Sequence, residues 1–169
     1  MQDPIHQQYQ DIAKDFATGY TLKTDVWQET REKYEAPIEA DEYIELLPNL
    51  VEEAQKRGLK CIQGDITNMP YEDKKFDTVI DTSTIDHVAD YSKAISEYAR
   101  ITKDKLLLIV WLTSGDTMQD GGDLAGGQQF YFNEDKFVEV LEEYFVEERR
   151  EVLRDAGNRR VVSFRCRKI

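Results

Sequence analysis

The chain has 169 residues, enough for one domain, and 34 Asp and Glu against 22 Lys and Arg give it a net charge of −12. That charge repels phosphate backbones and anionic headgroups, so no nucleic-acid or membrane partner is expected, while a small cationic ligand is tolerated. With 40% apolar and 33% charged residues, and a longest apolar run of seven (Leu106 to Leu112), both a disordered chain and a membrane-spanning helix are excluded.

The first residues, Met1-Gln-Asp-Pro, show no export signal, and two cysteines, Cys61 and Cys166, give no disulfide framework or metal-ligand spacing. A cytoplasmic protein is expected. Ile5, Tyr9, Ile12, Ala13 and Phe16 recur at helical spacing and predict a helix within residues 1–19. Tyr20 to Trp27 reads as a strand and turn, and Glu42 to Leu46 as a second strand. A helix follows with the stripe Leu47, Leu50, Val51 and Ala54, stopped by Gly58. Leu59 to Gly64 and Phe76 to Asp81 are further strands, and Tyr91, Ala94, Ile95 and Tyr98 mark the next helix. Lys105 to Leu112 suits a central parallel strand.

Thr113 to Gln129 holds five of the nine glycines and no hydrophobic period, so a long loop is expected, with a lid over residues 113–132. Trp111 before it and Phe130-Tyr-Phe132 after it would supply apolar walls. Asn133 then caps a helix with the stripe Phe137, Val140, Leu141 and Tyr144. Two last strands, Val146 to Leu153 and Arg160 to Cys166, meet at Asp155-Ala-Gly-Asn158. No linker or repeat divides the chain, so residues 1–169 read as one α/β domain: a mostly parallel sheet with an antiparallel C-terminal edge.

In such sheets ligands bind beyond the carboxyl ends of the strands. The residues there are Asp25, Glu45, Asp65 and the group from Asp81 to His87. Asp25, Glu45 and Asp65 stand 20 residues apart, the length of one strand-helix unit. A carboxylate at such a position can accept two hydrogen bonds from a ribose diol. His87 is the candidate general base, since free imidazole titrates near neutral pH; Asp86 would orient it or cap the next helix.

Gly64-Asp-Ile-Thr-Asn-Met-Pro70, Phe76-Asp-Thr-Val-Ile-Asp81, His87-Val-Ala-Asp90 and the helix residues Ala94, Glu97 and Arg100 resemble the middle of class I S-adenosylmethionine-dependent methyltransferases. The resemblance runs from about Tyr20 to Phe145. It implies a Rossmann-like fold with a seven-strand sheet, S-adenosylmethionine as cofactor and methyl transfer to a small-molecule acceptor. It further implies that Glu45, with Leu46 beside it, holds the ribose hydroxyls. Asp65 meets the adenine amino group, with the Ile66 N–H near the ring, and Asp81, Thr82 and Ser83 approach the methionine part and the acceptor.

The family's glycine-rich first turn is replaced by Leu22-Lys-Thr-Asp-Val-Trp27, which has no glycine. A pyrophosphate needs such glycines for close backbone approach. S-adenosylmethionine carries no phosphate, so it suffers less from their loss, and Asp25 stays a binding candidate. The same departure keeps open a non-catalytic binding or regulatory protein of this fold, or a homodimer that completes the site.

Overall fold

A computed structural model of the chain describes residues 42–56, 58–82, 84–120 and 128–169. The expected N-terminal helix, the strand from Tyr20 to Trp27, Asp25 and Ser83 lie outside them. Residues 42–65 belong to one compact unit, and the described residues from Ile66 onward to another.

In the first unit, β1 (Tyr43–Glu45) and α1 (Pro48–Lys56) lead to β2 (Cys61–Gln63), which pairs in parallel with β1, Tyr43 opposite Cys61 and Glu45 opposite Gln63. Pro48 opens the helix, where its missing N–H costs nothing, and Leu47 and Val51 are buried. Gly58 ends it at φ +83°, a left-handed conformation that favours glycine. Its N–H reaches the Gln55 carbonyl at 2.9 Å, and the Leu59 N–H that of Ala54 at 3.1 Å.

The second unit contains β3 (Phe76–Thr82), a 3₁₀ turn (Ile85–His87), α2 (Tyr91–Ile101), β4 (Thr102–Thr113), β5 (Met118–Asp120), β6 (Gln129–Asn133), α3 (Glu134–Glu142), β7 (Phe145–Asp155) and β8 (Arg159–Lys168). Its six strands run β5-β6-β4-β8-β7, with β3 also on β4. β3 and β6 share one side of β4, both parallel to it. β3 accompanies it from Thr102 to Ile109, and β6 only at Leu112 and Thr113. On the other side β8 runs antiparallel along nearly all of β4, and β7 lies outside β8. The C-terminal edge is antiparallel, as expected.

Burial in this sheet has the period of two that pleating imposes. Leu106, Leu108, Val110 and Leu112 of β4 align with Phe132 of β6 and with Val162, Phe164 and Cys166 of β8, all fully or nearly fully buried. α2 and α3 cover this face. Tyr91 meets the rings of Phe132 and Phe137 at 4.6 and 5.1 Å, and Phe137 reaches Phe164 at 6.2 Å. The odd-numbered residues Leu107, Ile109 and Trp111 face the other way and are half-buried.

The stretch after β4 departs from the expected loop. β5 and β6 form an antiparallel pair, Met118 opposite Tyr131 and Asp120 opposite Gln129, so only residues between the strands remain as a connection. The expected apolar walls are corrected too. Phe130 and Phe132 are 8% and 0% exposed and stack in the helix-covered core, whereas Tyr131, pointing the opposite way, meets Trp111 edge-on at 5.6 Å. Alternation along a strand separates three aromatic residues that a loop would have kept together.

Candidate functional site

At the end of β1, Glu45 is half-buried and accepts the Leu47 N–H on Oε1 at 3.0 Å. Among the described residues no donor meets its other oxygen. The strand ends are tied together, the Gly64 N–H reaching the Glu45 carbonyl at 3.0 Å and the Gln63 side-chain amide the Leu46 carbonyl at 3.1 Å. Leu46 is 52% exposed, a large apolar side chain open beside the carboxylate. Asp65 is exposed in the same unit, and Ile66, first residue of the next unit, is buried. An oriented carboxylate with one oxygen to spare, in an acid-rich setting, suits a ligand that donates hydroxyls and carries positive charge. It does not suit a pyrophosphate.

In the second unit, Asp81 near the end of β3 is turned inward and is 5% exposed. Its Oδ1 accepts from the Thr84 N–H at 2.7 Å. Oδ2 accepts from the Ile85 N–H at 3.0 Å and the Tyr98 hydroxyl at 2.5 Å. Burial pushes this carboxyl above its ordinary value, against the opposing pull of these donors, and burial beside Asp81 pushes the Tyr98 phenol well up. The side chain fixes the turn that carries Asp86 and His87, while Thr82 is exposed.

Asp86 is fully buried, and its Oδ1 accepts the Trp111 N–H at 2.9 Å. Trp111 falls between the last β4 residue paired with β3, Ile109, and the first paired with β6, Leu112. A carboxylate thus stands in for a missing strand partner. The cap of the following helix is Asp90, which accepts the Lys93 N–H at 3.1 Å. His87 is exposed, with Nδ1 2.7 Å from the Gln128 carbonyl. A carbonyl only accepts, so Nδ1 carries the proton and a neutral ring keeps its lone pair on Nε2.

Glu97 and Arg100 have a structural role. Arg100 donates to the Met69 carbonyl (2.9 Å), the Tyr71 carbonyl (2.6 Å) and Asp73 (3.0 Å), and forks onto both oxygens of Glu97. Glu97 also accepts the Met69 N–H at 2.7 Å. Together they clamp the loop that feeds β3. Sequence reasoning missed Arg154 and Arg159, whose guanidinium carbons lie 5.9 Å from the Trp111 ring centre and 4.4 Å from that of Tyr131. The signal available was the basic excess after Phe145, which does not mark which arginines lie over rings.

The order β3-β4-β8-β7, parallel and then antiparallel, with acids at strand ends, defines a Rossmann-like α/β protein of the methyltransferase type. The chain belongs to the methyltransferase domain family, whose pattern matches residues 15–110. It is similar to the ubiquinone/menaquinone biosynthesis C-methyltransferase of Campylobacter jejuni, 28% identical over 120 residues, which are 69% of this chain and 50% of that protein. Its fold is similar to that of an S-adenosylmethionine-dependent methyltransferase from Methanosarcina mazei (TM-score 0.63, 13% identity, 76% of this chain and 81% of that one). It is also similar to that of the Burkholderia thailandensis 1,6-didemethyltoxoflavin-N1-methyltransferase, solved with that acceptor and S-adenosylhomocysteine bound (TM-score 0.60, 14% identity, 99% of this chain and 93% of that one). The chain spans half or less of the length of the curated relatives it matches.

Proposed function

We propose that this chain binds S-adenosylmethionine and transfers its methyl group to a small-molecule acceptor. The observation that carries this reading is Glu45, held by the Leu47 N–H with its second oxygen unengaged among the described residues. Glu45 takes the ribose hydroxyls with Leu46 beside it, Asp65 the adenine amino group and the Ile66 N–H the ring edge. Asp25 is a further binding residue, and Asp81, Thr82 and Ser83 approach the methionine part and the acceptor, Asp81 by fixing the backbone at the strand end. The cofactor supplies a methyl group already activated by positive sulfur, so alignment of the acceptor contributes much of the rate. Where the acceptor arrives protonated, His87 takes the proton on Nε2 while Asp86 holds the turn beneath it.

Calorimetric titration with S-adenosylmethionine and its demethylated product tests the reading. Glu45→Ala is expected to weaken binding by about 1.5–3 kcal/mol, the worth of a hydrogen bond to a charged acceptor. Binding unchanged in both Glu45→Ala and Asp65→Ala overturns this placement. The glycine-free stretch from Leu22 to Trp27 favours a second reading, a non-catalytic binding or regulatory protein, which predicts cofactor binding with no turnover on any acceptor.

No helix among the described residues is long and apolar enough to cross a membrane. We assign the protein to the cytoplasm, free of nucleic acid because of its charge of −12. Its assembly would be a homodimer if a second copy completes the site, which sedimentation velocity reads directly.

A further inference from the structure

The phenol of Tyr98 is a buried polar group that the proposed chemistry does not use. It is 2% exposed on α2, and its hydroxyl donates to Oδ2 of Asp81, 5% exposed on β3. Burial pushes the phenol well above its ordinary value, so the hydroxyl keeps its proton and is always the donor. A phenylalanine would fill the same space, whereas a hydroxyl bonded to a buried carboxylate brings in a costly charge that packing does not require. Asp81 in turn holds two successive amides, the Thr84 N–H on Oδ1 at 2.7 Å and the Ile85 N–H on Oδ2 at 3.0 Å. These amides open the 3₁₀ turn. It closes with the His87 N–H on the Thr84 carbonyl at 3.1 Å and the Val88 N–H on that of Ile85 at 3.0 Å.

The terminal torsion of an aspartate is soft, with a broad two-fold well. Two amides from one short turn leave the carboxylate plane free to follow that turn, and a third donor from another element pins it. The bond also closes a ring. Asp90 caps α2 just after the turn, and about two helical turns later Tyr98 returns to Asp81. The turn is thereby fixed to α2 as well as to β3, while Asp86 ties it to β4 through the Trp111 N–H at 2.9 Å. All of these groups lie in the second unit. His87 is the last residue of the turn, and its Nδ1 lies 2.7 Å from the Gln128 carbonyl. That contact depends on where the backbone of the turn is held. We propose that Tyr98 is a positioning residue for His87: through Asp81 and the turn, its hydroxyl holds the imidazole Nδ1–H on the Gln128 carbonyl and so keeps the lone pair on Nε2. This deepens the methyl-transfer reading and rests on it only for His87 being the base.

The test uses the full chain labelled with ¹⁵N-histidine, at alkaline pH where free imidazole is neutral. The chain has two histidines, and His6→Gln assigns the signals of His87. In the wild type the His87 ring is expected to show one protonated nitrogen, Nδ1, and one bare nitrogen, Nε2. Tyr98→Phe should draw the two ¹⁵N shifts toward each other, as the ring leaves the carbonyl and the two tautomers exchange. Sucrose, which favours the compact state, keeps that variant folded. Asp81→Asn, which offers one acceptor oxygen to donors that share two on Asp81, should give the same averaged ring. Phe164→Leu weakens the core of the same unit without touching the bonds from Tyr98 to His87, and should leave the single tautomer intact. An averaged ring in the wild type, an unchanged ring in Tyr98→Phe, or equal averaging in Phe164→Leu overturns the proposal. Calorimetry with S-adenosylhomocysteine on the same samples separates the two readings. If it binds while the ring ignores Tyr98, the positioning role alone fails; if it does not bind while the ring still follows Tyr98, the methyl-transfer reading fails and the coupling stands.

Discussion

Asp81 shows how one buried charge can build a turn. Three donors converge on its carboxylate, and without them a group 5% exposed would be very costly. Its raised value means that the folded state holds the proton more tightly than the unfolded chain. That stabilising contribution is complete below the ordinary value of 3.8 and is lost as the pH rises through the raised one. Tyr98→Phe removes one donor and leaves the charge less compensated, so urea denaturation at pH 7 should show a loss of about 1–3 kcal/mol. For His87→Ala the expected outcome is normal cofactor binding with turnover lowered about 10²-fold on an acceptor that must lose a proton. Unchanged turnover would leave a purely positional mechanism. The sequence marked Asp81 as a strand-end acid, but the inward rotation of its side chain depends on Tyr98, seventeen residues away on another element, and no local pattern carries that.

Among the elements, α2 ties the loop before β3 to the second unit. Its Glu97 and Arg100 fix the loop before β3, and the Lys74 N–H reaches the Arg100 carbonyl at 2.8 Å, with Lys74 itself at φ +54°. Hydrogen bonding to Arg100 is the main cause that holds the Glu97 carboxyl below its ordinary value of 4.5. A group lowered in this way stabilises the fold above that value and ceases to do so as the pH falls through the lowered one. The stability gap between wild type and Glu97→Gln in urea should therefore be widest near pH 7 and close on acidification; a gap constant down to pH 3 would assign the loss to packing. Arg100→Ala, which forfeits the whole clamp, should cost about 2 kcal/mol or more. The helices of the described residues were legible: Gly58 as a stop, Asn133 as a cap accepting the Lys136 N–H at 3.0 Å, and the apolar stripes of all three. β5 was not, because three residues flanked by glycines carry no detectable period and the strand exists only through its pairing with β6.

At the scale of the whole chain, the family and the type of fold were readable from the spacing of acids and the Gly64-to-Asp90 pattern. The partition of aromatic residues between the two sheet faces was not. It depends on strand register, and a shift of one residue exchanges the faces. Both cysteines are buried, and burial is the first cause pushing each thiol up, that of Cys166 to about 12. Thiolate is the reactive form, so the native protein at pH 8 should resist a disulfide reagent that labels both residues at once in urea. Fast labelling of Cys166 without denaturant would contradict its place in the core.

The position of β8 reaches beyond the static sheet. It follows β7 in the chain yet inserts between β7 and β4, so Leu106 meets Cys166 across sixty residues of sequence. While the chain is being made, β4 is complete before its antiparallel partner exists, and the edge that β8 will pair with must wait unpaired. Pairing over such separations is intrinsically slow, and an unpaired edge is where a half-made chain meets its neighbours. Crowded synthesis is therefore the condition under which this protein is most exposed to misassembly, and a chaperone that shields β4 until β8 arrives would raise its yield without altering the finished fold.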